Sequence, residues 1–134
     1  MTEPLELDLH RAIAAVLTLE IAPARHVSKH GVMWWASDIS NSAMANPGAR
    51  AALGIGGGVP DLMFIWRGEV YFQEIKRERQ GVLSDTQAEF IAAARLAGAP
   101  VAICWDAESC IANVDTWLIP RNRRVVFQQR AAGA

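Results

Sequence analysis

The stretch Gly58 to Lys76, GVPDLMFIWRGEVYFQEIK, constrains the fold of this chain more than any other. Two largely apolar runs, Leu62–Trp66 and Glu69–Lys76, flank the dipeptide Arg67-Gly68, which predicts an antiparallel hairpin closed by a two-residue turn. In that register Trp66 faces Glu69 and, one step beyond, Asp61 faces Glu74. Directly opposed side chains have Cβ atoms about 4.5–5.5 Å apart, so two carboxylates are expected side by side. Glu74 and Lys76, two apart on one strand, point to the same face. The hairpin therefore gathers two acids and an ammonium at one end of a sheet. That is costly unless the charges are paired or used.

What flanks the hairpin defines the fold class. Ser84 and Gln87 make a capping-box pattern, and Phe90, Ile91, Ala94 and Leu96 give the helix that follows its apolar side. Gly98 and Pro100 stop it. VAICW (101–105) then reads as a buried strand of the parallel kind, completing a βαβ unit with a right-handed crossover. Upstream, Leu5, Leu9, Ile13, Val16 and Leu19 recur at helical spacing behind Pro4, predicting a helix over 4–20 that Pro23 ends. GVMWWAS (31–37) fits a short strand. A loop with a helical turn around Arg50–Leu53 leads into GIGGGVP. A short helix around Ala107–Val114 and the WLIP segment close the domain. The expectation is an α/β fold: helix, three antiparallel strands, helix, and a strand parallel to the one bearing Glu74, a mixed sheet flanked by helices. One domain spans 1–120, followed over 121–134 by a basic tail expected to be partly mobile.

Composition narrows the function classes. The 134 residues are 51% apolar and 20% charged, enough for a real core in one soluble domain. A formal net charge of −1 gives no global pull toward nucleic acid, leaving only local basic patches. Cys104 and Cys110 suggest neither a disulfide framework nor a zinc site, and a reduced cytosolic setting is expected. No apolar run approaches the roughly 20 residues that span a bilayer, and the acidic N-terminus is not a signal peptide.

A divalent cation would resolve the repulsion between Asp61 and Glu74. Mg²⁺ prefers oxygen ligands and commonly takes one or two carboxylates plus waters. Lys76 beside it could orient or deprotonate a water, or neutralise charge in a transition state. A Glu-x-Lys on a strand is usually a surface pair and Pro-Asp is often only a turn. Their conjunction in register ahead of a βαβ unit is what points to chemistry.

Pro60-Asp61 followed by Glu74-Ile75-Lys76 resembles the PD-(D/E)xK nuclease signature. The run GxGGGVPDL, the hairpin, EIK, the link ending GVLSDTQ and a helix leading to Ala-Gly before the next strand look like the VRR-NUC branch, the virus-type replication-repair nucleases. The likeness covers residues 31 to about 106. It implies a restriction-endonuclease-like core and a Mg²⁺- or Mn²⁺-dependent endonuclease acting on DNA, leaving a 5′-phosphate and a 3′-hydroxyl. Small stand-alone members, typical of bacteriophages, resemble dimeric junction-cleaving enzymes. A homodimer acting on branched DNA such as four-way junctions, in the cytoplasm of a bacterial or phage-infected cell, is therefore expected. By the resemblance Asp61 and Glu74 are metal ligands, with the Ile75 carbonyl adding an oxygen, and Lys76 is the catalytic lysine. Gln87 is the helix glutamine placed near the site, although its capping role alone would account for it. Glu6 best matches the family's first-helix glutamate, with Glu3 and Glu20 as competitors. His10, one turn on from Glu6, reads as a surface or half-buried residue rather than a ligand.

Other features weigh less. GIGGG precedes a strand instead of opening a helix, which argues against a nucleotide cofactor. It suits a flexible, close-approach loop beside the metal, with backbone free to lie against DNA. Of Trp34 and Trp35, on opposite faces of their strand, one belongs to the core and the other to the core, an interface or a base-stacking surface. Lys76, Arg77 and Arg79 form one basic run, and Arg121, Arg123, Arg124 and Arg130 another. Such runs are usually solvated, but in a DNA enzyme they are candidates for phosphate contacts. Rival readings are a nuclease preferring flaps, nicks or single strands, and a DNA-binding module of the same fold without chemistry. A generic metabolic α/β domain is weaker still.

Overall fold

A computed structural model of the chain describes residues 6–37, 52, 57–77 and 82–127. The elements run α1 (Glu6–Glu20), β1 (Val32–Ala36), β2 (Leu62–Trp66), β3 (Glu69–Ile75), α2 (Asp85–Leu96), β4 (Val101–Cys104) and α3 (Ala107–Thr116). The strands form an open sheet in the order β1-β2-β3-β4, its first two pairings antiparallel and its last parallel. This is the α/β arrangement expected from the sequence. The helical turn expected around Arg50–Leu53 lies outside the described residues apart from Ala52.

The hairpin has the expected register, with Leu62 opposite Gln73 and Trp66 opposite Glu69. Arg67 and Gly68 take φ values of 54° and 75°, the left-handed pair of a type I′ turn. Arg67 is unusual there, and its guanidinium lies over the Trp66 ring, 4.6 Å from the centroid.

Strand alternation gives the two sheet faces different roles. Val32, Trp34, Leu62, Phe64, Tyr71, Ile75 and Cys104 join Ile13 and Leu17 of α1 and Ile111 and Val114 of α3 in the core. Phe72 and Glu74 fall on the opposite face, where Phe90 of α2 meets Phe72 edge-on with centroids 5.4 Å apart. Thus α1 and α3 fill one face while α2 covers the other, beside the charged end of β3.

Two apolar stripes differ from the periodicity reading. In α1 Leu17 is fully buried whereas Leu19 is 48% exposed, because it sits roughly 160° round the helix from Leu17. The buried stripe instead runs through Ile13, Leu17 and Ile21. In α2 Ile91 is buried and Leu96, roughly 140° away, is exposed. Trp34 is the core tryptophan, donating through Nε1 to Ala22 O at 2.6 Å, while Trp35 is half-buried.

The expected C-terminal tail is anchored over its first residues. Fully buried Glu20 accepts from Arg121 Nη1 at 2.7 Å and from the backbone N–H groups of Arg123, Arg124 and Val125 at 2.8, 2.7 and 2.6 Å. Arg121 also grips Asp115 through Nε and Nη2 at 2.8 and 3.0 Å. Burial acts to raise the Glu20 carboxyl, but the guanidinium and the three amides outweigh it and hold the group below its ordinary value. Arg121 is therefore a structural clamp rather than a phosphate contact, and Glu20 is not a site glutamate. Residues 128–134 lie outside the described residues.

Cys104 and Cys110 are buried free thiols. Their mutual hydrogen bond, reinforced by burial, pushes the Cys104 thiol far up, so it stays protonated. No helix among the described residues is long and apolar enough to cross a membrane.

Candidate active site

Three segments converge at the C-terminal end of β3. The strand itself is held there by the parallel ladder, with Lys76 N donating to Cys104 O at 2.9 Å. Buried Pro60 leads the second segment into β2. Asp61 O accepts from Ser37 N at 2.8 Å, and Asp61 Oδ2 accepts from Ile75 N at 2.8 Å. The second bond turns the Asp61 carboxylate toward β3 instead of leaving it to solvent. In an extended strand the N–H and C=O of one residue point to the same edge, so the Ile75 carbonyl lies on the Asp61 side of β3.

The third segment is the first turn of α2. Ser84 caps it, accepting from Gln87 N at 3.2 Å while Gln87 Oε1 accepts from Ser84 N at 2.9 Å. Gln87 Oε1 also accepts from Lys76 Nζ at 3.0 Å, and Gln87 Nε2 donates to Glu74 Oε2 at 2.7 Å. One side chain thus completes the capping box and ties Lys76 to Glu74. The cap and the site are not alternatives for Gln87. Lys76 Nζ lies 3.7 Å from Glu74 Oε2, with its side chain only 17% exposed.

Gly58 sets the approach of this helix. It has φ of +83°, and a Cβ built on it would lie 2.2 Å from Thr86 O and 2.9 Å from Gln87 N. The backbone of the Gly-rich segment is therefore packed on α2 at Gly58. The expected contact with DNA does not explain this glycine, since close approach to the protein itself does. Residues 54–56 of the run lie outside the described residues.

Glu74 is buried, and burial, followed by the charge of Asp61, pushes its carboxyl up to about 7 against the opposing pull of Lys76. Two acids against one ammonium leave the cluster short of positive charge. The oxygen donors of Asp61, Glu74 and the Ile75 carbonyl fit a hard divalent cation completed by waters. Among the described residues no group of three or more His, Cys, Asp and Glu converges, so the donor set does not suit a zinc-type cage.

The structure thus brings together Asp61, Glu74, Ile75, Lys76 and Gln87. Glu6 opens α1, but its side chain lies outside the described residues. His10 is half-buried, and its Nε2 has no partner among the described residues. The bridge made by Gln87 could not be read from spacing, because it depends on how α2 docks on the sheet. Compared with models of known families, with curated proteins and with solved structures, the chain matches none.

Proposed function

We propose that this chain is a metal-dependent endonuclease with a restriction-endonuclease-like fold of the VRR-NUC type, hydrolysing phosphodiester bonds in DNA. The observation that carries this reading is the convergence of Asp61 and Glu74 beside Lys76, joined by Gln87. Two adjacent acids, one of them buried, add little to stability in the absence of a counter-ion. They make physical sense as ligands.

Asp61, Glu74 and the Ile75 carbonyl would hold a divalent cation, which when bound would supply Lewis acidity toward a phosphoryl oxygen and a water. The Lys76 ammonium offsets negative charge as it builds on the phosphoryl oxygens. Gln87 keeps Nζ beside Glu74, so the lysine needs no reorganisation during the reaction. The positive end of α2 further favours an anion at this corner. Glu6 belongs to the reading through the family resemblance.

The substrate we propose is branched DNA, such as a four-way junction, cut by a homodimer in the cytoplasm of a bacterial or phage-infected cell. Two symmetry-related sites can cut two strands of a symmetric junction, which one small domain is poorly sized to recognise alone.

Cleavage assays on a labelled four-way junction, its linear duplex and a flap, with Mg²⁺ or Mn²⁺, test the reading. Paired junction cuts abolished by Asp61→Ala and by Lys76→Ala support it in full. Cutting of flap or linear DNA alone keeps the nuclease and discards the junction. Tight metal-independent binding without cleavage replaces the enzyme with a binding module.

A further inference from the structure

A second charged surface lies away from the site, where the end of α1, the loop joining it to β1 and the C-terminal segment meet. The chain has a net charge of −1, yet residues 21–37 and 116–134 contain no Asp or Glu at all. The fold brings the first stretch together with the described part of the second, residues 116–127, because Glu20 holds the backbone of Arg123, Arg124 and Val125. Glu20 is occupied by Arg121 and three amides and Asp115 by the same guanidinium, so neither carboxylate at this junction pairs with Lys29 or Arg124 among the described residues.

Between the stretches lies a shallow depression of about 340 Å³, lined among others by Lys29, Arg124, Ser28 and Asn122. Lys29 and Arg124 are both exposed and make no ion pair among the described residues. Arg25 and Arg123, in the same two stretches, have φ of 69° and 58°. Their left-handed backbones are held by Arg25 N donating to Trp34 O at 2.7 Å and by Arg123 N donating to Glu20. Non-glycine residues persist in that region only where the surroundings fix them. The cationic segments are thus fixed in place.

We infer that this surface binds the phosphate backbone of DNA, as a contact separate from the candidate active site. The inference rests on the nuclease reading for the identity of the polyanion. The depression is too open to enclose a nucleotide, and no aromatic ring lines it for base stacking. Unpaired cations around an open surface suit a run of phosphates contacted without regard to sequence. Such contacts release counter-ions and steepen salt dependence by about 0.9 per phosphate on a double-logarithmic plot.

The test is fluorescence anisotropy of a labelled four-way junction and its linear duplex over a salt series, with EDTA present. The wild-type chain is compared with a Lys29→Ser/Arg124→Ser double variant and a charge-keeping Lys29→Arg/Arg124→Lys variant. The serine variant should bind more weakly, with a salt slope shallower by about 1.8, while the charge-keeping variant stays near wild type. With Mg²⁺ and saturating protein, the serine variant should cleave at the wild-type rate. Wild-type affinity and slope in the serine variant, with the wild type cutting DNA, would overturn the contact and leave the nuclease standing. Failure of the wild type to bind any DNA at low salt would overturn both. Charge-dependent binding to phosphatidylserine vesicles would then reassign the surface to anionic lipid.

Discussion

Gln87 Nε2 donates to Glu74 Oε2 at 2.7 Å, while the same amide accepts from Lys76 Nζ and from Ser84 N through Oε1. A helix cap and a charged cluster therefore share one side chain. Removing it should affect stability and activity together. Gln87→Ala is expected to cost about 1 kcal/mol in denaturant unfolding, the usual size of a lost cap interaction. Cleavage should fall about 10–100-fold, as when a residue orienting metal ligands is lost. Ser84→Ala separates the two effects: it weakens the cap while leaving the Gln87 links, so its activity should stay within a few-fold of wild type.

Gly58 tests how the helix is positioned. A methyl group there meets the Thr86 carbonyl, and the φ of +83° is unfavourable for alanine. Gly58→Ala should destabilise the fold by about 1–3 kcal/mol from backbone strain alone. It should also lower cleavage by displacing the first turn of α2. Gly31→Ala is the control. It shares a positive φ but has open space around its Cβ position, so it should show the strain without the loss of activity.

The buried pair of Glu20 and Arg121 should dominate the response to acid. Glu20 lies below its ordinary value, so its contribution is present above its unfolded pKa, near 4.5, and is lost as pH falls through the lower folded value. Thermal melts of the wild type and Glu20→Gln should therefore differ most near neutral pH and converge in acid. Arg121→Ala should cost about 3–5 kcal/mol, because it leaves a buried carboxylate without its cation.

Glu74 behaves in the opposite sense. Its folded value, about 7, lies above the unfolded 4.5, so the folded state binds the extra proton between them and metal-free stability falls as pH rises through that window. Glu74→Gln should gain on the wild type from pH 4.5 to 7, by about 3 kcal/mol at the top. Asp61→Asn should shrink that gain. Saturating Mg²⁺ should restore wild-type stability at pH 7 and above, and melts that ignore Mg²⁺ would remove the metal from the reading.

Local chemistry made much of this protein legible from its sequence. The type I′ turn at Arg67-Gly68, the box of Ser84 with Gln87 and the run VAIC are short-range patterns whose physics is complete within a few residues. They sufficed to place Glu74 and Lys76 on one face and to set Asp61 against β3. Other features depended on elements distant in the chain. Periodicity could not tell Leu17 from Leu19, because several stripes satisfy the spacing of α1 and packing against the sheet selects one. Gln87 reaches Glu74 and Lys76 only because Gly58 lets the α2 backbone come close. Glu20 and Arg121, read as a competitor for the first-helix glutamate and a candidate phosphate contact, became each other's partners across most of the chain. Burial strips water from both charges and makes that pairing stronger than any exposed role, and only tertiary structure decides which charges lose their water.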